Sequence, residues 1–232
     1  NLIIGHLSPP QWRELTQNPD KPHQNKVIQG TFAPGSIIKI LVAAAALGEG
    51  LIDPQTTFFC RGETEMLGRV VHCWNASGHG SVQLLEAITN SCNIYFYYVG
   101  LKVGVDRIHH WANQMGLGVR SDIDLPGERA GLVPSSEWKR QTYRQPWYQG
   151  ETISVAIGQG AVNVTPLQVA CFMSAISTNS APPIPRLRFG AGRTDPAPRR
   201  EPLLPPEIHA LMMTGMQNVV DAGTGTRARL EG

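Results

Sequence analysis

The fold is decided by the stretch Pro34-Gly35-Ser36-Ile37-Ile38-Lys39-Ile40-Leu41-Val42, which continues into four alanines. Its residues are apolar on every side, which predicts a buried helix that ends near Gly48. Ser36 and Lys39 lie three positions apart and therefore share one face of this helix. Burial lowers the pKa of a lysine and makes it a candidate base, and a neighbouring serine is then a candidate nucleophile. In the alternative interpretation, Ser36 caps the helix and Lys39 extends to the surface.

A second motif, Ser91-Cys92-Asn93, follows between two predicted helices. The first of them opens over Ser81–Ala87 with Ser81 as its cap, and the second runs over Ile94–Val103. Ser-x-x-Lys followed by Ser-x-Asn is two thirds of the signature of the penicilloyl-serine transferases. The alternative is that Ser91 and Asn93 only cap the ends of helices.

The amino-acid composition excludes several classes of protein. The chain has 232 residues, of which 41% are hydrophobic and 16% are charged, and this is enough for a sizeable core. The 24 glycines and 18 prolines exclude a coiled coil. A net charge of +2 gives no basic surface for nucleic acid, so no nucleic-acid partner is expected. No apolar run reaches the roughly 20 residues of a membrane span, because Lys39 interrupts the longest one.

Helix signals outnumber strand signals in the rest of the chain. Further helices are predicted from Ser8-Pro9-Pro10, over Asp106–Met115 with Asp106 as its cap, from Thr165-Pro166, and over Pro206–Val220. Short strands are predicted at Thr57–Phe59, Arg69–Val71 and Arg186–Phe189, and the segment Gly127–Gly150 is expected to be rich in loops.

Several stretches together resemble a known family, the transpeptidase domain of class B penicillin-binding proteins. The stretches are Gln29–Lys39, Asn93–Tyr97, Leu125–Glu128, Ser136–Lys139, Pro146–Glu151 and Ile157–Gly160. The pair Trp147-Tyr148 before Gly150-Glu151, together with His79-Gly80, is similar to the elongation-type enzyme of rod-shaped bacteria.

The resemblance implies an α+β fold of the penicillin-binding transpeptidase and serine β-lactamase type. It also implies that Ser36 attacks the D-Ala-D-Ala carbonyl of a peptidoglycan stem peptide and that β-lactams acylate the same serine. Lys39 would deprotonate Ser36, Ser91 would relay a proton to the leaving amine, and Asn93 would bind the substrate amide. No cofactor is needed for this catalysis.

Four further residues are candidates for substrate binding by the same resemblance, namely Trp147, Tyr148, Gly158 and Gln159. The two aromatic residues could equally be anchors of a loop. The glycines around Gln159 lack the third glycine of a phosphate loop and are expected to allow close packing beside the active site. The implied partners are the stem peptide, β-lactams and, through the full-length protein, a membrane glycosyltransferase of the elongation machinery. The implied location is the periplasmic face of the inner membrane, with an anchor upstream of this chain.

The sequence departs from the family pattern at the third motif. No Lys-Thr-Gly or Lys-Ser-Gly occurs, and Gly223-Thr224-Gly225-Thr226 resembles the stretch that precedes that motif. Residues 1–232 are therefore expected to form a partial transpeptidase domain, mainly the helical lobe. Most of the five-stranded antiparallel sheet would lie before residue 1 and after residue 232. The chain by itself is expected to be inactive.

Cys60, Cys73, His79 and Cys92 form a candidate metal site. Three thiolates and one imidazole suit a structural, tetrahedral Zn²⁺ that would hold the Ser91-Cys92-Asn93 motif in place. Alternatives are a Cys60–Cys73 disulfide, which an oxidising periplasm favours, or free thiols. His72 is a rival for the imidazole, and Cys171 is expected in the core.

Two other functions are compatible with the sequence. A class D β-lactamase or penicillin sensor shares Ser-x-x-Lys, although these proteins usually have Ser-x-Val where Asn93 stands here. A non-catalytic scaffold that binds an elongation glycosyltransferase is the alternative from another class.

Overall fold

Helices contain nearly half of the residues that the computed structural model describes, which are 7–187 and 201–230. The α-helices of these residues are α1 (Pro9–Gln17), α2 (Lys26–Gln29), α3 (Ile38–Gly48), α4 (Leu84–Thr89), α5 (Asn93–Val103), α6 (Val105–Gln114), α7 (Ser136–Tyr143), α8 (Gln149–Val155), α9 (Pro166–Thr178) and α10 (Pro206–Asp221). Short 3-10 helices occur at Gly35–Ile37 and Thr226–Ala228. Within the described residues, no helix combines the length and apolarity needed to cross a bilayer.

The four strands of the described residues form two small antiparallel sheets. They are β1 (Phe58–Cys60), β2 (Glu63–Met66), β3 (Arg69–His72) and β4 (Gly80–Val82). β1 pairs with β4, with Cys60 opposite Gly80, and β2 pairs with β3, with Glu63 opposite His72. The predicted excess of helices over strands is confirmed, and two of the predicted strands occur within one residue of their expected positions. The third, Arg186–Phe189, extends outside the described residues.

The helix α3 lies at the centre of the core, as its apolar sequence predicts. Every residue from Ile38 to Ala46 is buried, and α3 packs against α5, α6 and α10. On its other side, α5 packs closely on α8, because a Cβ at Gly100 would lie 2.3 Å from the Cβ of Ala156. The first residues of α3 and α5 therefore belong to one rigid, close-packed centre.

Two predicted caps are wrong. Ser81 lies in β4 opposite Phe59, and α4 begins only at Leu84, where the Glu86 carboxylate accepts a hydrogen bond from the Gln83 N–H. Asp106 lies inside the first turn of α6, after a Gly104 cap. Its carboxylate accepts hydrogen bonds from the N–H and the hydroxyl of Ser136, at 2.8 Å each. In both cases, the residue interacts with a distant part of the chain and does not cap the helix that follows it.

The segment Gly127–Gly150 is rich in loops, as predicted, but it also contains α7 and the start of α8, which were not predicted. The Ser135 hydroxyl caps α7 by accepting a hydrogen bond of 3.0 Å from the Trp138 N–H. The predicted helices from Thr165-Pro166 and from Pro206 are confirmed as α9 and α10. In α9, the Thr165 hydroxyl accepts from the Gln168 N–H at 3.2 Å.

Candidate active site

Four predicted site residues meet where three helices begin or end. Ser36 lies in the 3-10 turn before α3, and Lys39 lies in the first turn of α3. Ser91 lies between α4 and α5, and Asn93 is the first residue of α5. Since α3, α4 and α5 pack on one another, these motifs from distant parts of the sequence share one small volume.

A continuous series of hydrogen bonds joins the four side chains. The Lys39 ammonium donates to Asn93 Oδ1 at 2.7 Å, to the Ser91 carbonyl at 2.8 Å and to Ser91 Oγ at 2.9 Å. Ser91 Oγ in turn donates to Ser36 Oγ at 2.8 Å. Among the hydrogen bonds of the described residues, Lys39 therefore reaches Ser36 through Ser91.

The Lys39 side chain is inside the protein, with only 2% of the residue exposed. The interpretation in which it extends to the surface is therefore wrong. Burial lowers the pKa of Lys39 from its ordinary 10.5 to about 8, although negative charge on Cys73 and Cys92 partly offsets this effect. The Phe96 ring lies 5.6 Å from Nζ and stabilises the protonated form. A lysine with this pKa exchanges a proton near neutral pH.

The backbone of Ser91 is in the left-handed region, with a φ of 51°. A residue with a side chain pays about 1 kcal/mol or more for this conformation. It is maintained here because the Ser91 N–H donates to Ile88 at the end of α4, and the Cys92 N–H donates to Ala87. Such local strain is typical of functional sites, and at Ser91 it directs the hydroxyl to Ser36.

Two clefts open at Ser36. The more polar one has a volume of about 360 Å³ and is lined by Gly35, Ser36, Trp74, Ser91, Asn93, Ile157, Gln159 and Thr224. The other, of about 310 Å³, is mostly apolar and continues from Ser36 to Met216 and Val219 on α10. Neither Trp74 nor Thr224 was predicted as a site residue. No local pattern marks Trp74, and Thr224 was noted only within the stretch that resembles the one before the third motif. The Trp74 indole N–H donates to the Asn90 carbonyl at 2.9 Å, so its ring is fixed beside Ser91.

Gly158 and Gln159 lie beside Ser36. The Gly35 N–H donates to the Gly158 carbonyl at 3.1 Å. A Cβ at Gly158 would approach the Gly35 carbonyl oxygen to 2.2 Å, and its φ is 70°, so only glycine fits there. The predicted close packing at this glycine is confirmed. Trp147 lies elsewhere, in a separate pocket between α7 and α8, and the exposed Tyr148 precedes α8.

The candidate metal ligands also come together. The sulfur atoms of Cys60, Cys73 and Cys92 and a ring nitrogen of His79 all lie within 4.8 Å of one another. His79 Nδ1 is 3.6 Å from the Sγ atoms of both Cys60 and Cys73. All four cysteines of the chain are free, so the structure contains no Cys60–Cys73 disulfide. The rival His72 is on the surface, 3.4 Å from the Glu63 carboxylate.

The cluster of Cys60, Cys73, His79 and Cys92 fits a metal by its chemistry. A hydrogen bond between Cys92 and Cys73 lowers the pKa of Cys73 and raises the pKa of Cys92, so the pair readily gives up one proton. Three buried sulfur ligands and one imidazole are a closed tetrahedral set for Zn²⁺. Because Cys92 is the middle residue of the Ser91-Cys92-Asn93 motif, the cluster is coupled directly to the active site.

A serine nucleophile candidate, a buried lysine and a Ser-x-Asn motif on a helical framework define the class of penicillin-interacting serine acyltransferases. Within this class, the chain belongs to the family described as the penicillin binding protein transpeptidase domain, whose model matches residues 8–232. The predicted fold class is thereby confirmed, with the helical part predominant in the described residues.

Relatives in this family are peptidoglycan transpeptidases. The chain is 35% identical to peptidoglycan D,D-transpeptidase MrdA of Haemophilus influenzae, over 97% of this chain and 36% of that protein. It is 32% identical to MrdA of Escherichia coli K12, over 97% of this chain and 37% of that protein. The chain thus spans little more than a third of the length of these relatives.

Solved structures agree with this assignment. PBP2 of Pseudomonas aeruginosa, in complex with WCK 5153, superposes with a TM-score of 0.89 at 35% identity. That match covers 98% of this chain and 53% of the other. PBP2 of Helicobacter pylori, in complex with MreC, superposes with a TM-score of 0.85 at 28% identity, over 96% of this chain and 41% of the other.

Proposed function

We propose that the protein carrying this chain is a D,D-transpeptidase that cross-links peptidoglycan stem peptides during cell elongation. The observation that carries the proposal is the hydrogen-bonded series Ser36–Ser91–Lys39–Asn93, with its lysine buried. A non-catalytic scaffold would have no need to bury a lysine against two serines and an asparagine, since an isolated buried charge costs several kcal/mol. The family and the named relatives support the same reaction.

Acylation begins with proton transfer away from Ser36. In its neutral form, Lys39 has a free lone pair, so the two hydrogen bonds of the protonated state reverse direction. Lys39 then accepts a proton from Ser91 Oγ, which at the same time accepts the proton of Ser36 Oγ. Ser36 Oγ then attacks the carbonyl of the penultimate D-Ala. When the tetrahedral intermediate collapses, the amide C–N bond breaks, an ester to Ser36 remains, and the proton returns through Ser91 to the leaving D-Ala amine. The Ser36 N–H, at the positive end of a helix, is a candidate donor to the oxyanion.

Transpeptidation is completed by the reverse proton path. The amine of a second stem peptide attacks the ester and gives up a proton through Ser91 to Lys39. When the tetrahedral intermediate collapses, the C–O bond to Ser36 breaks, the new amide remains, and Lys39 returns that proton through Ser91 to Ser36 Oγ. A β-lactam would follow the first half of this route and remain as an ester on Ser36.

Substrate orientation is the role we assign to Asn93, Gly158 and Gln159. Asn93 Oδ1 accepts from Lys39, which leaves the amide NH₂ of Asn93 to donate to a substrate carbonyl in the cleft. Gln159 lines the same cleft, and Gly158 holds the Gly35 backbone next to the nucleophile.

Zn²⁺ is the metal that we propose for the cluster of Cys60, Cys73, His79 and Cys92. Four protein ligands leave no open position, so the ion would act in stability and would supply no step of the reaction. Its contribution to function would be indirect, since Cys92 lies between Ser91 and Asn93.

The setting of the enzyme is also a proposal. Residues 1–232 would form the helical lobe of the domain, with the third motif and most of the sheet supplied by sequence outside them. The protein would work at the periplasmic face of the inner membrane beside a glycosyltransferase. One structure related to this chain, with 32% identity, is described as a peptidoglycan synthase complex that coordinates polymerization and crosslinking.

The test replaces Ser36 by alanine in the complete gene product that carries this chain, in cells depleted of the native protein. A transpeptidase variant without its nucleophile should fail to restore cross-linked muropeptides and rod shape. Ser177→Ala, a change at an exposed helix position that lines neither cleft, should restore both. Full restoration by Ser36→Ala would establish the scaffold function in place of the enzyme.

A further inference from the structure

A third pocket lies between α7 and α8, apart from the two clefts that open at Ser36. Its volume is about 310 Å³, which suits part of a small ligand. Aromatic side chains from α7 and from the loop before α8 form much of its wall: Trp138, Tyr143 and Trp147. Tyr143 is 59% exposed and meets Trp138 edge to face, with 5.5 Å between the ring centres. We call this the aromatic pocket.

The wall of the aromatic pocket contains an ion pair between a buried lysine and a partly exposed glutamate. Lys139 is only 6% exposed and pairs with the Glu151 carboxylate. The Lys139 ammonium also lies 4.4 Å from the centre of the Tyr148 ring and 5.7 Å from that of Trp147. Lysine and glutamate neutralise each other there, so the aromatic pocket selects neither a cation nor an anion.

The aromatic pocket and the polar cleft at Ser36 share a wall. Gln159 lines the cleft, whereas its neighbours Gly160 and Ala161 line the aromatic pocket. Consecutive Cα atoms are about 3.8 Å apart, so the two sites lie on opposite sides of one turn of backbone. The Gln159 N–H donates to the Ser154 carbonyl at 2.9 Å and closes this turn.

We infer that the aromatic pocket binds an N-acetylated sugar ring of the peptidoglycan glycan strand, an inference that rests on the proposed function. A sugar ring is uncharged, presents C–H faces that pack on aromatic rings, and presents hydroxyl and amide groups that hydrogen-bond. The pocket offers the matching groups. The Tyr143 ring is exposed, and the rings of Trp138 and Trp147 are partly exposed. The polar side chains of Gln145 and Ser154 line the same pocket. A glycan held there would carry its stem peptide across the shared turn to Ser36.

The test measures binding of chitotetraose, a tetramer of N-acetylglucosamine, to the complete gene product by calorimetry. Wild-type protein and Ser36→Ala should bind it equally, because the nucleophile lies in another cleft. Tyr143→Ala should bind it about threefold to tenfold more weakly, the effect of one lost aromatic contact, and Tyr143→Phe should bind like wild type. Trp12→Ala, which removes a half-exposed aromatic residue from α1, is the matched control and should bind like wild type.

Several results would overturn the inference. One is the absence of chitotetraose binding at millimolar concentration, and another is equal binding by wild type and Tyr143→Ala. A third is that a sugar-free stem pentapeptide binds in place of chitotetraose and that Tyr143→Ala weakens this binding. The pocket would then be a peptide site. Penicillin acylation of the wild type, measured on the same preparation, tests the proposed function separately. If the protein binds sugar but is not acylated, the proposed function is wrong and the pocket assignment stands. If it is acylated but does not bind sugar, the pocket assignment is wrong and the proposed function stands.

Discussion

Ser91 Oγ donates a 2.8 Å hydrogen bond to Ser36 Oγ, although 55 residues separate the two serines in the sequence. The contact exists because α3 begins where α4 ends and α5 begins, and all three helices pack together. Since Lys39 contacts Ser91 and not Ser36 among the described hydrogen bonds, Ser91 is the bridge for the proton in this geometry.

Ser91→Ala should therefore slow acylation strongly. The change removes the only hydroxyl between Lys39 and Ser36 in the described network, and loss of a proton-transfer group costs roughly 10²–10⁴-fold in rate. The measurement is the rate of labelling of the complete gene product by a fluorescent penicillin. Ser177→Ala serves as the control and should label at the wild-type rate. A loss of less than about threefold for Ser91→Ala would mean that Lys39 acts on Ser36 without the bridge.

The acylation rate should rise with pH. Lys39 acts as a base only when it is neutral, and its pKa is lowered to about 8 by burial. The rate should increase as the pH passes through about 8 and then level off, well below the ordinary lysine value of 10.5. Rates of penicillin acylation between pH 6 and 10 provide the profile. A rate that is flat, or that falls over this range, would contradict the role of Lys39.

Gly158→Ala should destabilise the chain and displace its nucleophile. The new Cβ would lie 2.2 Å from the Gly35 carbonyl oxygen, in a left-handed backbone conformation. Gly50→Ala is a matched control, because Gly50 also has a positive φ, of 65°, but nothing lies within 4 Å of its Cβ position. Gly50→Ala should cost about 1 kcal/mol of unfolding free energy, and Gly158→Ala about 3 kcal/mol or more. Urea unfolding measures both, and equal losses would show that the contact with Gly35 is unimportant.

Purified protein should contain about one zinc ion per chain. Cys60→Ser removes a proposed ligand, so it should lower the zinc content and the melting temperature. Cys171→Ser is the control, because Cys171 is a buried cysteine of α9 outside the cluster, and burial raises the pKa of its thiol. It should keep its zinc. Elemental analysis of protein prepared without added zinc measures the zinc content. A metal-free wild type that unfolds at the same temperature with or without chelator would exclude a structural zinc.

Local patterns predicted the features that local forces control. The start of α9 follows from Thr165-Pro166, and the burial of α3 follows from its unbroken apolar sequence. The polar sequence of α7 shows little apolar periodicity, so the helix was missed; it is stabilised by the Ser135 cap and by the pairing of Lys139 with Glu151 on α8. Ser81 was misassigned for a related reason, since pairing with β1 overrode its capping tendency.

The part of the candidate site that consists of sequence motifs could be predicted. Ser36, Lys39, Ser91 and Asn93 stand in recognisable patterns, and the structure brings them together. Trp74 reaches the cleft only through the tertiary fold, so no spacing in the sequence marks it. The Gly-Thr-Gly-Thr stretch that contains Thr224 could have pointed to the cleft, because it resembles the stretch before the third motif. His79 was the predicted metal ligand and His72 its rival. The structure places the His79 imidazole beside the sulfur atoms, because strand pairing brings Cys60 of β1 opposite Gly80 of β4, next to His79. His72 lies in the other sheet, opposite Glu63.

The most direct test of the central claim is to locate the β-lactam adduct. The complete gene product is incubated with benzylpenicillin, digested, and mapped by mass spectrometry beside Ser36→Ala. One penicilloyl group per chain, on the peptide that contains Ser36 and absent from Ser36→Ala, is the predicted result. An adduct on another residue, or one that persists in Ser36→Ala, would contradict the assignment of Ser36 as the nucleophile.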